Sequence, residues 1–392
     1  MKKTIKKFAQ PVLITKPLAP NKKKVLGVFS DVIDSGWFTN MGKQHESFEK
    51  KLCEYLNVDN ISVFNNGTLA LITALKALGL PKGSEVITTP FTFAATPHSI
   101  AWNGLEPVFA DIDPHTMTLS LDAIENAITE NTSAILAVHV YGFPCDVHGI
   151  ERIAKKYNLK VVYDAAHAFT TEINGKSICK WGDITMLSFH ATKLFNSIEG
   201  GALVYNDESL SEKIYELRNF GIKKFTIKKD VKEGIKTKDI ISEIGINGKL
   251  NEFQAAWGIE TLELVKAEQE KRDLVSKQYK EELKNEAWIT IPEMPEGVSN
   301  SMQYFPIICK NNKRDDLYEE LLKYNIYSRK YFYPLCSDFE CYNKLISSAK
   351  ENLMNAHSIA NSVLCLPFYG EISENDCEKV KQICEIIKVA FQ

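Results

Sequence analysis

Short apolar runs alternate with segments of helical pattern between residues 60 and 205 of this 392-residue chain. A continuous apolar run bounded by turn residues predicts a strand that is buried on both faces. Such runs occupy residues 61–64, 85–89, 107–113, 134–140 and 159–163. Apolar residues at helical spacing fill residues 69–78, 121–129 and 148–157 between them. This alternation predicts an α/β fold whose sheet is mostly parallel and covered by helices on both faces.

The C-terminal part of the chain has a different pattern. Residues from Asn251 to about Glu282 combine alanine, leucine and charged positions and predict one long helix. Further elements are predicted at 303–309 (strand), 314–324 (helix) and 373–390 (amphipathic helix). We therefore expect a large domain over residues 1–250, followed by the connecting helix and a small α+β domain over residues 251–392. The first 20 residues contain three prolines and many lysines, and are expected to lie over the surface.

Composition narrows the class of protein. Hydrophobic residues make up 44% of the chain and charged residues 25%, as in an ordinary globular protein. The net charge of −3 gives no field that would favour nucleic acid or an anionic membrane as a partner. Nine cysteines without a Cys-x-x-Cys pair argue against a disulfide framework or a zinc site. The basic N-terminus lacks the apolar run of a signal peptide, and no 18-residue apolar stretch occurs. We expect a cytoplasmic protein without a metal site.

Polar motifs follow three of the predicted strands. They span residues 65–68, 91–93 and 164–167. In a parallel sheet ligands bind beyond the carboxyl ends of the strands, so the three motifs should meet at one edge.

The motif Asn66-Gly67-Thr68 lies between a strand and a helix. The first N–H groups of a helix have no partner within the helix and attract anions. Gly67 would allow a phosphate to approach the backbone, and Thr68 adds a hydroxyl donor. The same three residues could also form an ordinary turn with a threonine cap.

Asp164 follows the apolar residues 161–163, and His167 comes three positions later. A carboxylate at this place could pair with the protonated ring nitrogen of pyridoxal phosphate (PLP), which keeps the ring an electron sink. It could equally cap the next helix. His167 would then lie near the same ring, although a packing histidine is an equally good interpretation.

Lys193 lies between two apolar stretches, 184–189 and 200–204. A lysine is usually a solvated surface residue. Burial beside other polar groups would instead lower the pKa of its amine and make it a nucleophile and a base. Together with Asp164, such an amine would meet the needs of PLP, which binds to a lysine through a Schiff base.

Six motifs in order carry a resemblance to a known family. They are Asn-Gly-Thr (66–68), Thr-Pro-Phe-Thr-Phe-Ala-Ala-Thr (89–96), Tyr-Asp-Ala-Ala-His (163–167), Ser-Phe-His-Ala-Thr-Lys (188–193), Glu-Gly-Gly (199–201) and Gly-Ile-Asn-Gly-Lys-Leu-Asn-Glu (245–252). From about residue 20 to about 385 the chain resembles the DegT/DnrJ/EryC1/StrS family of PLP-dependent sugar aminotransferases. The resemblance implies the aspartate aminotransferase fold (fold type I), with a seven-stranded sheet, and a homodimer with shared active sites.

The resemblance also implies a role for individual residues. Lys193 matches the lysine that binds PLP, and Asp164 the carboxylate on its ring nitrogen. His167 matches a position near the phenolic oxygen, and Phe93 the aromatic side chain that stacks on the ring. The matching phosphate-binding positions are Gly67, Thr68, Ser188 and, from the neighbouring subunit, Asn247. Residues expected at the substrate are His190, Lys249, Arg329 and Tyr331, with Lys249 standing where the family often has arginine.

The implied reaction moves an amino group from L-glutamate to a ketosugar linked to a nucleotide. The chain is most similar to VioA-type enzymes, which aminate C4 of dTDP-4-keto-6-deoxyglucose for cell-surface polysaccharides such as O-antigen. A C3-aminotransferase of a dTDP-3-keto sugar and a UDP-4-ketosugar aminotransferase are the alternatives. A dehydratase of the family would carry histidine in place of Lys193, and a regulator that binds PLP without turnover would lack a catalytic group.

Overall fold

A computed structural model describes residues 5–223 and 241–391. In chain order its strands are β1 (Ile61–Phe64), β2 (Glu85–Thr88), β3 (Glu106–Phe109), β4 (Thr132–Val138), β5 (Lys160–Asp164), β6 (Glu172–Ile173), β7 (Lys176–Ser177), β8 (Ile184–Ser188), β9 (Gly201–Tyr205), β10 (Ile289–Thr290), β11 (Val298–Ser299), β12 (Phe305–Cys309) and β13 (Val363–Leu366).

The helices of the described residues are labelled in the same way. They are α1 (Lys22–Ser35), α2 (Lys43–Leu56), α3 (Gly67–Ala77), α4 (Ala95–Trp102), α5 (Leu121–Ala127), α6 (Val147–Tyr157), α7 (Leu210–Arg218), α8 (Glu252–Leu262), α9 (Val265–Leu283), α10 (Arg314–Lys323), α11 (Met354–Ser362) and α12 (Glu374–Val389).

A seven-stranded sheet forms the centre of the molecule, in the order β1-β9-β8-β5-β4-β2-β3. Only β9 runs antiparallel to its neighbours within this sheet, and every other pair is parallel. The predicted α/β fold with a mostly parallel seven-stranded sheet is confirmed. Helices on both faces bury the apolar strands, so the polar groups at their carboxyl ends are the ones left open to a ligand.

Most predicted strands and helices of this part occur close to their expected bounds, but the third strand, predicted over residues 107–113, ends at Phe109. The fourth strand ends at Val138, two residues earlier than predicted, because the chain then enters a tight turn over Val140–Gly142. Tyr141 has a positive φ of 55° in that turn, which a strand cannot contain. The turn brings the Tyr141 N–H group towards the candidate site.

The prediction of one long helix from Asn251 to about Glu282 is wrong. The chain forms two helices, α8 and α9, separated by Glu263 and Leu264. Helix α8 packs against α1 and α2, whereas α9 packs against α12 in the C-terminal part. The two helices therefore pack in different hydrophobic cores. The chain changes direction at Glu263 and Leu264, and neither of these residues is a glycine or proline that would have indicated the break.

In the described part of the chain, two three-stranded sheets accompany the central one. The sheet β10-β12-β13 forms the C-terminal unit with α9, α10 and α12, as the predicted strand and helices suggested. The N-terminal segment was expected to lie over the surface, and this is wrong for Val12 and Ile14, which are buried. Val12 accepts a hydrogen bond from Tyr327 and packs in the C-terminal core. The division at residue 250 stays a prediction.

No helix within residues 5–223 and 241–391 is long and apolar enough to span a membrane.

Candidate active site

A cavity of about 300 Å³ lies at the carboxyl ends of the central strands. We call it the inner cavity. Ten of the twelve site residues predicted from the sequence line it: Gly67, Thr68, Phe93, Asp164, His167, Ser188, His190, Lys193, Arg329 and Tyr331. The structure thus brings together motifs that are up to 264 residues apart in the chain, counted from Gly67 to Tyr331.

Asp164 is the last residue of β5 and is 4% exposed. Its Oδ2 atom accepts a hydrogen bond of 2.8 Å from Thr96 Oγ1, and its Oδ1 atom accepts one of 3.1 Å from the Ala166 N–H group. Burial raises the pKa of the carboxyl, while the two hydrogen bonds and the nearby Lys193 favour the ionised form. Asp164 does not cap a helix, so its carboxylate is held for a cationic partner in the cavity.

Lys193 lies on the loop between β8 and β9. The Lys193 N–H group donates to His190 O at 2.8 Å, and the next two residues, Leu194 and Phe195, are buried in the main core. These anchors hold a partly buried side chain at the cavity wall. Burial lowers the pKa of the Lys193 amine to about 8; Asp164 raises it and Arg329 lowers it. Near pH 8 about half of the amines are therefore neutral and able to act as a nucleophile or a base.

His167 is buried and is held as a neutral ring. Its Nδ1 atom accepts a hydrogen bond of 3.1 Å from the Tyr141 N–H group, so the proton of the ring lies on Nε2. Burial and the nearby Lys193 lower the pKa of the imidazole well below its ordinary value. The rings of Tyr304 and Phe332 pack against it at centroid distances of 5.0 and 5.8 Å. His167 is thus a fixed donor rather than a mobile base.

The N-terminus of α3 closes one end of the inner cavity. Asn66 caps the helix by accepting from the Leu69 N–H group at 2.9 Å. Among the described residues, the N–H groups of Gly67 and Thr68 have no acceptor. A Cβ atom on Gly201 would lie 2.8 Å from the Gly67 nitrogen, so glycine is needed for β9 to approach this turn. Two free donors and the helix dipole make a site for an anion.

A second cavity of about 810 Å³, the outer cavity, adjoins the first. The two share Phe93, Thr192, Arg329, Tyr331 and Phe332. The other lining residues include Leu13–Thr15 from the N-terminal segment, and Tyr318, Tyr327, Ser328, Lys330 and Tyr333. Aromatic rings and two cationic side chains thus surround the entrance to the inner cavity.

Arg329 is oriented by Tyr331, whose hydroxyl accepts a 2.8 Å hydrogen bond from Nη1 and whose ring lies 4.7 Å from the guanidinium carbon. Phe93 is 59% exposed and lines both cavities. A large apolar side chain open at a cavity is available to cover a planar ligand.

Asn247 and Lys249 do not line the inner cavity. Asn247 is exposed, and its side chain accepts a hydrogen bond of 2.6 Å from Lys249 Nζ. Both lie near the anion site at the N-terminus of α3, because Gly248 O accepts a hydrogen bond of 2.9 Å from the Asn65 N–H group. His190 is bound to the loop itself, through Thr192 Oγ1 at 2.8 Å and Glu199 Oε1 at 3.5 Å.

Two residues with a place in the site had not been predicted. Thr96 binds Asp164, and Gln303 binds the backbone on both sides of Lys193. Thr96 is the last residue of the motif 89–96, so that motif was a signal from which its role could have been predicted. Nothing in the local sequence marks Gln303. Within residues 5–223 and 241–391 no group of three or more His, Cys, Asp or Glu could hold a metal ion.

The residues of the inner cavity fit PLP. Lys193 Nζ has no hydrogen-bond partner among the described residues and is free to bind the aldehyde carbon. Asp164 is a buried carboxylate that suits the ring nitrogen, and the α3 N-terminus with Thr68 and Ser188 suits the phosphate. The aldehyde, the ring nitrogen and the phosphate of the cofactor can thus each be bound by a suitable group of the inner cavity.

Comparison with known proteins agrees with this geometry. The profile of the DegT/DnrJ/EryC1/StrS aminotransferase family matches residues 21–387. The chain is 44% identical to a dTDP-4-amino-4,6-dideoxy-D-glucose transaminase of Shigella dysenteriae over 97% of this chain and 100% of that protein. It is similar to the crystal structure of DesI in the presence of its TDP-sugar product, with a TM-score of 0.87, 30% identity and coverage of 98% and 93% of the two chains. It is also similar to NtdA of Bacillus subtilis with the bound cofactor PMP, with a TM-score of 0.84, 28% identity and coverage of 99% and 86%.

Proposed function

The chain belongs to the DegT/DnrJ/EryC1/StrS aminotransferase family, and we propose that it transfers an amino group from L-glutamate to C4 of dTDP-4-keto-6-deoxy-D-glucose. The product would be dTDP-4-amino-4,6-dideoxy-D-glucose. The protein is a PLP-dependent aminotransferase, as its family and its similarity to a PMP-bound structure show. The identity of the sugar, the amino donor and the role of each residue form the proposal.

One observation carries the assignment of the site. Lys193, with a pKa of about 8, and the buried carboxylate of Asp164 line the same cavity, and that cavity adjoins a larger one. An amine and a carboxylate in these two states are what proton transfer at an amino-acid Cα atom requires.

Bound PLP supplies an electron sink for the bond that breaks at Cα of the amino donor. The residues of the chain transfer the protons and hold the cofactor in its charged form. The Lys193 amine takes the proton from Cα of glutamate in the first half-reaction, and it returns a proton to C4 of the sugar in the second. Asp164 stays ionised because Thr96 and the Ala166 N–H group donate to it, so it holds a proton on the ring nitrogen.

Three further contacts fix the orientation of the cofactor in this proposal. His167 donates from Nε2 towards the phenolic oxygen, because its Nδ1 atom is already bound to the Tyr141 N–H group. Phe93 covers one face of the ring and excludes water from it. The N–H groups of Gly67 and Thr68, with the hydroxyls of Thr68 and Ser188, bind the phosphate.

The outer cavity is the proposed site of the sugar nucleotide. A nucleotide diphosphate needs cations for its phosphates and aromatic surface for its base. Arg329 and Lys330 supply the cations. The aromatic surface is supplied by Tyr318, Tyr327 and Tyr333. The choice of a dTDP-linked 4-ketosugar follows the similarity to the Shigella dysenteriae transaminase, and cell-surface polysaccharide such as O-antigen is the proposed destination.

We further propose a homodimer that acts in the cytoplasm. Asn247 is exposed and lies outside the inner cavity of its own chain, which agrees with a role at the phosphate of a partner subunit. Lys249 lies beside Asn247 and would add a cation at the same boundary.

A sugar assay tests the proposed reaction. Purified protein with PLP, L-glutamate and dTDP-4-keto-6-deoxyglucose should give a 4-amino sugar by NMR, together with 2-oxoglutarate. The same mixture with Lys193→Ala should give none. Turnover of a dTDP-3-keto sugar or of a UDP-4-ketosugar instead would replace the proposed substrate. Loss of water from the sugar without amine transfer would indicate a dehydratase, and no turnover of any sugar would favour a PLP-binding regulator.

A further inference from the structure

Gln303 binds the peptide backbone immediately before and after Lys193. Its Oε1 atom accepts a hydrogen bond of 2.6 Å from the Leu194 N–H group, and its Nε2 atom donates one of 3.1 Å to Thr192 O. The side chain is 1% exposed. One amide thus occupies both of the backbone groups that flank the lysine, and it comes from a segment 109 residues later in the chain than Leu194.

The segment that carries Gln303 is itself held rigidly. Met302 has a φ of 57°, an unfavourable conformation for a residue with a side chain. The Met302 N–H group donates to Asn300 Oδ1 at 2.8 Å, and its carbonyl accepts from Arg272 Nη1 at 2.9 Å. Arg272 is 1% exposed and is paired with Glu268 at 2.7 Å. An ion pair on α9 therefore maintains the bend before Gln303.

The same segment also contacts His167. Ser301 Oγ donates a short hydrogen bond to His167 O. The Tyr304 ring packs edge-on against the imidazole at 5.0 Å. Neighbouring positions of one segment, 301–304, thus contact both His167 and the peptide groups that flank Lys193.

We propose that Gln303 is a positioning residue for Lys193, through which the segment after α9 sets the location of the amine in the inner cavity. The proposal rests on the function proposed above for Lys193. The two hydrogen bonds fix the peptides on either side of Lys193, and with them the direction of its Cα–Cβ bond. A shift of about 1 Å at a reacting group can cost on the order of a hundredfold in rate.

A Gln303→Met variant tests this role, because methionine has nearly the same length and can replace neither hydrogen bond. We expect PLP to remain bound and the rate of the half-reaction with L-glutamate to fall about 10- to 100-fold. The KM for the nucleotide sugar should change less than about threefold, since Gln303 does not line the outer cavity and, of its two hydrogen-bond partners, only Thr192 does. Gln269→Met is the matched control: Gln269 also joins α9 to the large domain, through Thr170 Oγ1 at 2.7 Å, but among the described residues it has no hydrogen bond to the Lys193 loop.

A second readout uses the protein without cofactor or substrate. Lys193 is labelled with an amine-reactive reagent over a range of pH, and the modified peptide is quantified by mass spectrometry. Wild-type protein and Gln269→Met should show half-maximal labelling near pH 8. In Gln303→Met the amine can leave its buried position, so the midpoint should move up towards the ordinary value of 10.5. A role in folding stability alone would leave this midpoint in place.

Gln303→Glu separates the two hydrogen bonds and serves if Gln303→Met does not fold. A carboxylate can still accept from the Leu194 N–H group but cannot donate to Thr192 O. Its negative charge by itself raises the labelling midpoint of Lys193, so the rate of the half-reaction with L-glutamate is the readout for this variant. A labelling midpoint of Gln303→Met, or half-reaction rates of the folded variants, equal to those of Gln269→Met would overturn the proposal. Because neither readout involves a sugar, they decide the role of Gln303 even if the wild-type protein aminates none of the sugars tested.

Discussion

Thr96 Oγ1 lies 2.8 Å from Asp164 Oδ2 and donates a hydrogen bond to it, where α4 meets the end of β5. Burial favours the neutral form of this carboxyl, and Thr96 is one of the few groups that oppose that effect. The threonine thus helps to keep a buried carboxylate ionised, which is the state that a protonated cofactor ring needs.

Replacing Thr96 by valine should therefore weaken the binding of PLP. Valine keeps the shape but removes the donor, so the pKa of Asp164 should rise further. A hydrogen bond to a charged group contributes about 1.5–3 kcal/mol, which corresponds to roughly a 10- to 100-fold weaker affinity. Titration of the apoprotein with PLP measures the change. Thr73→Val is the control, since Thr73 is buried and its hydroxyl has no hydrogen-bond partner within residues 5–223 and 241–391. An equal effect of both variants would contradict the role of Thr96.

The effect of Asp164 on Lys193 gives a second prediction. Burial lowers the pKa of the amine to about 8, while the Asp164 carboxylate raises it. In Asp164→Asn the charged form of the amine loses this support, so the midpoint for labelling of Lys193 in the apoprotein should fall below 8. Exposed Lys155 provides the internal reference within each digest. A midpoint that moves upward would contradict the arrangement.

Phe93 should matter for the cofactor and little for the fold. Because its side chain is 59% exposed, Phe93→Ala removes little buried surface, and we expect a change in the free energy of unfolding below about 1 kcal/mol. Loss of the ring that covers PLP should weaken cofactor binding about two- to tenfold, since stacking contributes about 0.5–1.5 kcal/mol. Fluorescence titration measures the affinity. Trp102→Ala, at a ring that is 78% exposed outside both cavities, should leave it unchanged.

A partly buried ion pair between Glu49 and Arg218 predicts the acid stability of the protein. Glu49 Oε1 accepts from Arg218 Nη1 at 2.7 Å and from the Val63 N–H group at 2.9 Å. Burial would raise the pKa of Glu49, but Arg218 and His45 together lower it to about 2, from 4.5. The folded state therefore binds the proton less well than the unfolded state, and the stabilisation is present above pH 4.5 and lost as the pH falls towards 2.

Glu49→Gln should accordingly lower the free energy of unfolding by about 2 kcal/mol at pH 7. The difference from wild type should shrink at pH 3.5, where part of the stabilisation has already gone. Urea denaturation at both pH values measures it. Glu54→Gln, at an exposed pair with Lys50, should change stability by less than about 0.5 kcal/mol at either pH. A Glu49→Gln effect that grows on acidification would contradict the sign of the pKa shift.

Much of the fold follows from local pattern. Apolar runs and helical spacing placed the central strands and their helices near the bounds that the structure shows, because burial on both faces leaves a strong signal. The break at Glu263 and Leu264 carries no such signal. It depends on which core each helix joins, and both helices keep an apolar face through the break.

The residues of the site also differ in whether local sequence predicts them. Asp164 and Gly67 were predictable because one ends a strand and the other begins a helix. Both features can be recognised in the local sequence, and ligands bind at such places. Gln303 was not, because a neutral amide in an apolar context has no characteristic chemistry until its distant partner is known. The part of a site that can be found from sequence is the part that contacts a ligand, and the groups that support it require the tertiary structure.

The inner and outer cavities share five residues but are otherwise built from different stretches of the chain. Strand ends of the central sheet form most of the inner wall, whereas residues 13–17 and 327–334 form most of the outer one. Positions that line only the outer cavity, such as Tyr318, Tyr327 and Tyr333, can therefore change with the sugar that is accepted, whereas Arg329, Tyr331 and Phe332 also line the inner cavity. For protein engineering, the positions of the two stretches that line only the outer cavity amount to an exchangeable cassette. The Tyr327 N–H group donates to Val12 O and so ties one stretch to the other, and grafting both from a relative, with Arg329, Tyr331 and Phe332 retained, should transfer its choice of sugar while Lys193 and Asp164 keep their places.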